Sequence, residues 1–452
     1  MKSFKEMVET VGLKTVLSYI DSDPETNIPK IFKWVEKFDS EGNYKGAYDT
    51  VREILADPGH VWTRYMKNLY RDFDVKVRKK IFENFVINAT ITGLRRRKKN
   101  REMYNCNIPW AILLDPTSAC NLKCTGCWAA DYGDKMSLSF DTLDSIITQG
   151  KEIGTYMYLY SGGEPLVRKD DILKLCVKHG DCIFAAFTNG TLIDEEFADG
   201  MLRVGNFVPG ISVEGFEAET DMRRGKGTYA AVIRAMRILQ ERKLAFGFSA
   251  CYHRYNTENV GSEAFLDDMI ERGCKFGWYF TYMPVGVNAH SDFLATAEQR
   301  AYMYDQIRSF RDTKPIFTMD FWNDGEFVDG CIAGGRRYLH INANGDIEPC
   351  AFIHYSDSNI KEKTLLEALR SPLFMEYKKG QPFNDNHLRP CPLLDNKDRL
   401  AKMVHTADAK STDLANPEDV DALCAKCHRT ADRWEIKSEE LWARSSGIKE
   451  AV

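Results

Sequence analysis

No apolar run in this chain approaches the roughly eighteen residues that a membrane-crossing helix needs. Its first residues, Met1-Lys2-Ser3-Phe4-Lys5-Glu6-Met7, lack the apolar core of a signal peptide. The expected location is therefore the cytoplasm, where thiols stay reduced. Internal repeats and low-complexity tracts are missing too, which excludes a solenoid or a chain dominated by linkers. Basic charge is not in excess: the net charge is -5, and no RNA- or DNA-binding motif occurs, so a nucleic-acid partner is excluded. Histidine is scarce, nine residues in all, and none lies near the densest cysteine group.

Cysteine is plentiful. Thirteen cysteines in a chain expected to be intracellular argue for metal or cluster ligation over disulfides. At 452 residues and 44% hydrophobic content the chain can bury a large core and divides naturally into two or three units. Residues 1–105 read as helical, with a short amphipathic pattern at Phe32, Val35, Glu36 and Phe38 and a break at Asp57-Pro58-Gly59. From Ala111 short apolar runs alternate with helical stretches. The expected strands are 111–114, 156–160, 183–187, 207–213, 245–251 and 276–282; the helices between and after them are 141–152, 170–178, 195–204, 229–242, 263–272 and 297–311. Six strand–helix units in a row imply an α/β fold, a partial (β/α)6 TIM-like barrel, whose chemistry sits at the C-terminal strand ends. The expected division is an N-terminal helical region over 1–105, the barrel over 106–320 and a small cysteine-rich domain over 321–452.

The run Cys120-Asn121-Leu122-Lys123-Cys124-Thr125-Gly126-Cys127 directly follows the first strand. Three thiolates in one loop can hold three irons of a cubane and leave the fourth iron open to bind and reduce something. Zinc is the alternative, although structural zinc takes four protein ligands. The C-x3-C-x2-C spacing resembles the cluster loop of the radical S-adenosylmethionine (SAM) superfamily, in which SAM chelates the free iron. One departure is Gly126, where that superfamily usually has an aromatic residue; Trp128 comes just after the third cysteine.

Gly162-Gly163-Glu164-Pro165 closes the second strand. Two glycines let backbone approach a ligand, and the adjoining carboxylate can accept from an ammonium. The segment resembles the superfamily's G-G-E-P motif, which implies contact with the methionine amino group of SAM. Asn189 after the third strand, Ser212 and Glu214 at the end of the fourth, and Arg223 and Arg224 at the next helix follow along the same rim. The resemblance implies that Ser212 and one of the arginines touch SAM, an arginine pairing its carboxylate.

Cys331 and Cys350 flank an Asn344-Gly345 turn signal between strand-like His340-Ile341 and Ile347. That hairpin resembles the opening of SPASM and twitch auxiliary-cluster domains, and the resemblance implies that Cys391, Cys424 and Cys427 complete one auxiliary [4Fe–4S] site. The full domain has a dense central cysteine run that is missing here, and a structural zinc site is the alternative. Cys106, Cys176, Cys182, Cys251 and Cys274 read as small buried hydrophobes.

From Val75 to Arg101 there are ten Lys or Arg and one acid, Glu83. Such a basic amphipathic stretch either lies on an anionic membrane surface or packs its apolar face on its own protein. The resemblance implies an enzyme that reductively cleaves SAM and removes hydrogen from a substrate, fed by an electron donor such as ferredoxin or flavodoxin. Gly126 and the basic stretch lean the substrate toward a lipid, an isoprenoid or a small molecule. A peptide- or protein-modifying SPASM-type maturase is the alternative, and a non-catalytic iron–sulfur or zinc protein is the alternative of another class.

Overall fold

The computed structural model describes residues 45–286 and 289–450. The pattern at Phe32–Phe38 lies outside the described residues. Seven strands run parallel in chain order: β1 Ala111–Leu114, β2 Met157–Tyr160, β3 Ile183–Thr188, β4 Phe207–Ser212, β5 Gly247–Tyr252, β6 Phe276–Thr281 and β7 Phe317–Asp320. Helices Phe140–Ile153, Lys169–Lys178, Glu195–Val204, Thr228–Glu241, Glu263–Glu271 and Ala297–Thr313 alternate with them. The strand order ends at β7, which does not bond to β1, so the barrel is incomplete. The seventh strand, Phe317-Thr318-Met319-Asp320, is short but alternating, with Thr318 and Asp320 buried, and pairs in register with β6.

Inward and outward positions differ in burial. Along β6 the pattern alternates: Gly277, Tyr279 and Thr281 are buried under helices, while Phe276, Trp278 and Phe280 stay half-buried. Parallel strands covered on both faces are normally buried throughout. Half-buried aromatics on the inner face therefore mark a barrel whose centre is not filled.

The sheet continues beyond the barrel. After Cys331 the chain returns as β8, Tyr338–Ile341, which lies parallel to β1 from Ala111↔Tyr338 to Leu114↔Ile341. The turn at Asn344-Gly345 leads to β9, Ile347–Glu348, antiparallel to β8. The hairpin thus forms where the turn signal stands. Its parallel partner, 227 residues away, left no local mark (338 minus 111). Further on, helix Val420–Glu450 packs on Ala297–Thr313 through Trp434, Leu441 and Tyr304. Arg300 reinforces that seam: it stacks over Trp434 at 4.0 Å and pairs with buried Asp395 at 2.5 Å.

The basic N-terminal stretch is turned inward. Helix Val75–Ile81 runs into a π-helical segment, Phe82–Thr92, and then helix Gly93–Tyr104. Asn84 donates to the carbonyls of Gly180 and Cys182, and Asn88 to that of Asp181. Arg97 donates to Ala89 and Gly154 carbonyls, and Asn100 to that of Ile153. These last groups close the C-terminal end of helix Phe140–Ile153, where unpaired carbonyls favour a cation. No helix among the described residues is long and apolar enough to cross a membrane.

Candidate active site

The cysteine loop leaves β1 at Leu114 and is held from three sides. Gly163 and Glu164 donate their N–H groups to the carbonyls of Thr117 and Ala119 at 3.0 and 2.9 Å. A Cβ on Gly163 would collide with the carbonyls of Ser118 and Ala119, and Gly162 sits at φ 103° with the Thr117 carbonyl 2.6 Å from where its Cβ would be. The glycine pair is therefore what lets the second strand's turn lie directly under the loop. On the next side, Asn189 donates to Asn121 at 2.9 Å, and Asn121 donates to Thr191 at 2.8 Å. On the third, Thr125 N–H donates to the Arg223 carbonyl at 2.8 Å and the Arg223 guanidinium to the Gly126 carbonyl at 3.3 Å.

Glu164 is buried, and its carboxylate accepts from Leu166 N, Thr188 Oγ1 and Asn189 N at 3.0, 2.6 and 2.7 Å. Its side chain thus faces three protein donors. Pro165 opens the short helix that Glu164 caps. Glu214 is fully buried and pairs with both Arg223 and Arg224, at 2.6 and 2.5 Å. Burial alone would raise its carboxyl, but the two guanidinia outweigh burial and hold it below the usual carboxylate range. Two cations on one carboxylate leave a positive charge in excess beside Ser212. The Glu214 Oε2 and Arg223 Nε atoms are buried with no hydrogen-bond partner.

Arg223, Arg224, Ser212 and Gly126 border one cavity inside the barrel. Its walls are aromatic: Phe187, Trp278, Phe280 and Phe352 among them. Cys251 also faces this space, against the expectation that it is a buried hydrophobe, whereas Cys106, Cys176, Cys182 and Cys274 are buried. Its position on β5 could be read in the strand's alternation.

Gly126 has φ 64°, and a Cβ there would lie 2.8 Å from the Tyr282 ring. Tyr282, just past β6, fills the space that an aromatic residue before the third cysteine would need. Trp128 turns the other way, against Phe352, His340 and His354. There the loop meets the C-terminal hairpin through buried polar groups. His340 lies between Asp115 at 3.0 Å and Glu348 at 2.6 Å, and His354 hydrogen-bonds the Trp128 carbonyl at 2.8 Å. Burial opposes charge on His340, yet the two carboxylates push its pKa up to about 10.

Cys120, Cys124 and Cys127 lie within electrostatic reach of one another. Burial pushes the Cys124 thiol up, and Arg224 beside it pulls it part of the way back. Among the described residues no three His, Cys, Asp or Glu side chains converge on a point that would hold a single ion. The loop's fixed backbone, its three thiols and the unpaired polar atoms beside it fit a cluster with a bound zwitterion.

Four cysteines of the second group lie around Tyr377. Its hydroxyl is buried with no hydrogen-bond partner and lies within reach of Cys331, Cys350, Cys391 and Cys424. Cys350 also touches the Tyr338 hydroxyl at 2.7 Å. Cys424 and Cys427 are one turn apart at the start of the last helix. Burial pushes Cys331 and Cys424 up to about 11 and Cys350 and Cys427 to about 12. Such thiols ionise at neutral pH only with a metal on them, which fits a cluster cage.

Residues 114–293 match the family model of the radical SAM superfamily, and residues 331–393 that of an iron–sulfur cluster-binding domain, SPASM. Fe-coproporphyrin III synthase of Methanosarcina barkeri is 29% identical over 195 residues, which are 42% of this chain and 48% of that protein. PqqA peptide cyclase of Granulibacter bethesdensis is 24% identical over 54% of this chain and 67% of that one. The chain thus spans about half the length of the first and two thirds of the second. Streptococcus suis SuiB bound to its precursor peptide SuiA shares the fold, with a TM-score of 0.50 at 20% identity over 62% of this chain and 69% of that one.

Proposed function

We propose that this chain, which carries a radical SAM domain followed by a SPASM domain, uses the cavity beside Cys120–Cys127 to remove hydrogen from a peptide. The radical SAM domain binds a [4Fe–4S] cluster and SAM, and the SPASM domain auxiliary iron–sulfur clusters. Bound there, the first cluster would supply the electron for reductive cleavage of SAM. Cys120, Cys124 and Cys127 would hold it. Gly162 and Gly163 present backbone to the methionine amino group, while Ser212 and the excess charge of Arg223 and Arg224 receive the carboxylate. Tyr282 offers adenine the aromatic face that Gly126 does not. Cys331, Cys350, Cys391 and Cys424 would hold the auxiliary cluster, with Cys427 beside them. The aromatic cavity walls exclude water from a reactive carbon centre.

The observation that carries this reading is the continuity of one cavity from Gly126 and Arg223 to the auxiliary hairpin at Ala351 and Phe352. A substrate there touches both cluster-bearing segments. The peptide class takes the place of the lipid or isoprenoid expectation for two reasons. Arg96, Arg97, Asn100 and Arg101 of the basic stretch bond to the barrel or the loops beside it, and one similar protein is a peptide cyclase. We further propose a cytoplasmic location, a ferredoxin or flavodoxin donor, and the three-part division at 105 and 320 with the sheet continuous across the second boundary. The test is anaerobic incubation of the reconstituted protein with dithionite and SAM, followed by mass spectrometry for 5′-deoxyadenosine. Release is expected; none from protein with intact clusters would refute the reading.

A further inference from the structure

At the end of the cavity opposite the cysteine loop stand Trp110 and Arg337. Arg337 lies level with the start of β1, since its carbonyl accepts from the N–H groups of Trp110 and Ala111. Its guanidinium has no hydrogen bond and no ion pair among the described residues, and the residue borders a cavity that no acidic side chain lines. The cations at the other end, Arg223 and Arg224, share Glu214.

Arg337 is not isolated from like charge. Arg101 and Arg336 stand within its electrostatic reach; burial first, and then the neighbouring guanidinia, hold both below the usual arginine range. Arg101 donates to the carbonyls of Ile108 and Arg336, and its Nε is buried without a partner. Arg336 donates to the carbonyls of Asp329 and Cys331 and meets the exposed Asp329 carboxylate at 3.5 Å. That single acid leaves the trio strongly positive. Three partly buried guanidinia grouped beside an apolar cavity favour an anion among them.

We propose that Arg337 is an anion anchor of the substrate site, taking a carboxylate at the foot of the cavity while an apolar, ring-bearing body fills the aromatic walls. The four-residue rise from Arg337 to Ile341 places that carboxylate about 13 Å along the barrel from the cysteine-loop end. The carboxylate is therefore remote from the carbon that loses hydrogen. This deepens the proposed function and rests on it for the identity of the reaction. The ligand chemistry has two sources, a carboxylate of a peptide or one on a small polycyclic acid.

The test is anaerobic calorimetric titration of the cluster-loaded protein with 4-(pyren-1-yl)butyrate and with its neutral amide. The wild type should bind the acid at least about tenfold more tightly than the amide. In Arg337→Met that preference should fall to within about twofold with amide binding unchanged, and Arg337→Lys should keep part of it. Equal binding of acid and amide by the wild type, or equal loss of both in Arg337→Met, would overturn the inference. An aromatic tetrapeptide with a free C-terminus and coproporphyrin III then separate the two sources: the ligand whose binding depends on Arg337 identifies which one. Binding needs no turnover, so this result and the release of 5′-deoxyadenosine fail independently.

Discussion

Gly126→Ala is expected to damage the cysteine loop by two separable routes. A side chain at φ 64° costs about 1–2 kcal/mol. Its Cβ would also stand 2.8 Å from Tyr282 Cε2 and Oη, an overpacking of about 1–3 kcal/mol, because the ring is buried and its hydroxyl accepts from His290 N–H. The sum is about 2–5 kcal/mol. Tyr282→Ala alone should cost about 3–5 kcal/mol as a large-to-small change in a buried site. In the double variant the steric part vanishes and the dihedral part remains. The two losses should therefore fall short of additivity by about 1–3 kcal/mol. Guanidinium chloride unfolding of the four apoproteins measures this, with iron retained after reconstitution as a second readout. Additivity within about 0.5 kcal/mol, or a neutral Gly126→Ala, would refute the assignment of the Tyr282 ring to that space.

Gly163→Ala places a methyl against two backbone carbonyls of the loop that cannot swing aside, so reconstituted iron on the Cys120 site should fall while the auxiliary iron stays. Glu214→Gln leaves Arg223 and Arg224 without a counter-charge and should cost about 3–5 kcal/mol in denaturant unfolding at neutral pH. Because the Glu214 pKa is depressed on folding, its stabilisation is present above the ordinary carboxylate pKa and lost as pH falls through the lower folded value; the variant should lack that acid limb. Arg97→Met should cost about 1.5–3 kcal/mol, since a buried charged donor to two carbonyls is removed, whereas exposed Lys99→Gln should stay within about 0.5 kcal/mol.

Much of the site was legible because its signals are local. Cys120, Cys124 and Cys127 share one loop, Gly162-Gly163 close one turn, and each barrel strand from β1 to β6 shows its own apolar run. What was not legible depends on partners far along the chain. The parallel pairing of β8 with β1 leaves no trace in either segment. The absent aromatic at Gly126 is answered by Tyr282, 156 positions later (282 minus 126). The carboxylate of Glu164 is expected to face a ligand; that it also accepts from the N–H of Asn189 and the hydroxyl of Thr188 is set by how β2 and β3 end side by side. The basic stretch had two readings, and only tertiary contacts such as Arg97 on Gly154 separate them. Arg337 carries no motif at all; its distinction is a missing counter-ion.

The proposed function requires that Cys120, Cys124 and Cys127 hold a cluster with one iron open to SAM. Electron paramagnetic resonance of the dithionite-reduced protein tests it most directly, in a Cys391→Ala, Cys424→Ala background that removes the auxiliary signal. Adding SAM should change the spectrum of the remaining cluster, because a ligand joins its open iron. A reduced cluster whose spectrum is the same with and without saturating SAM would contradict the account.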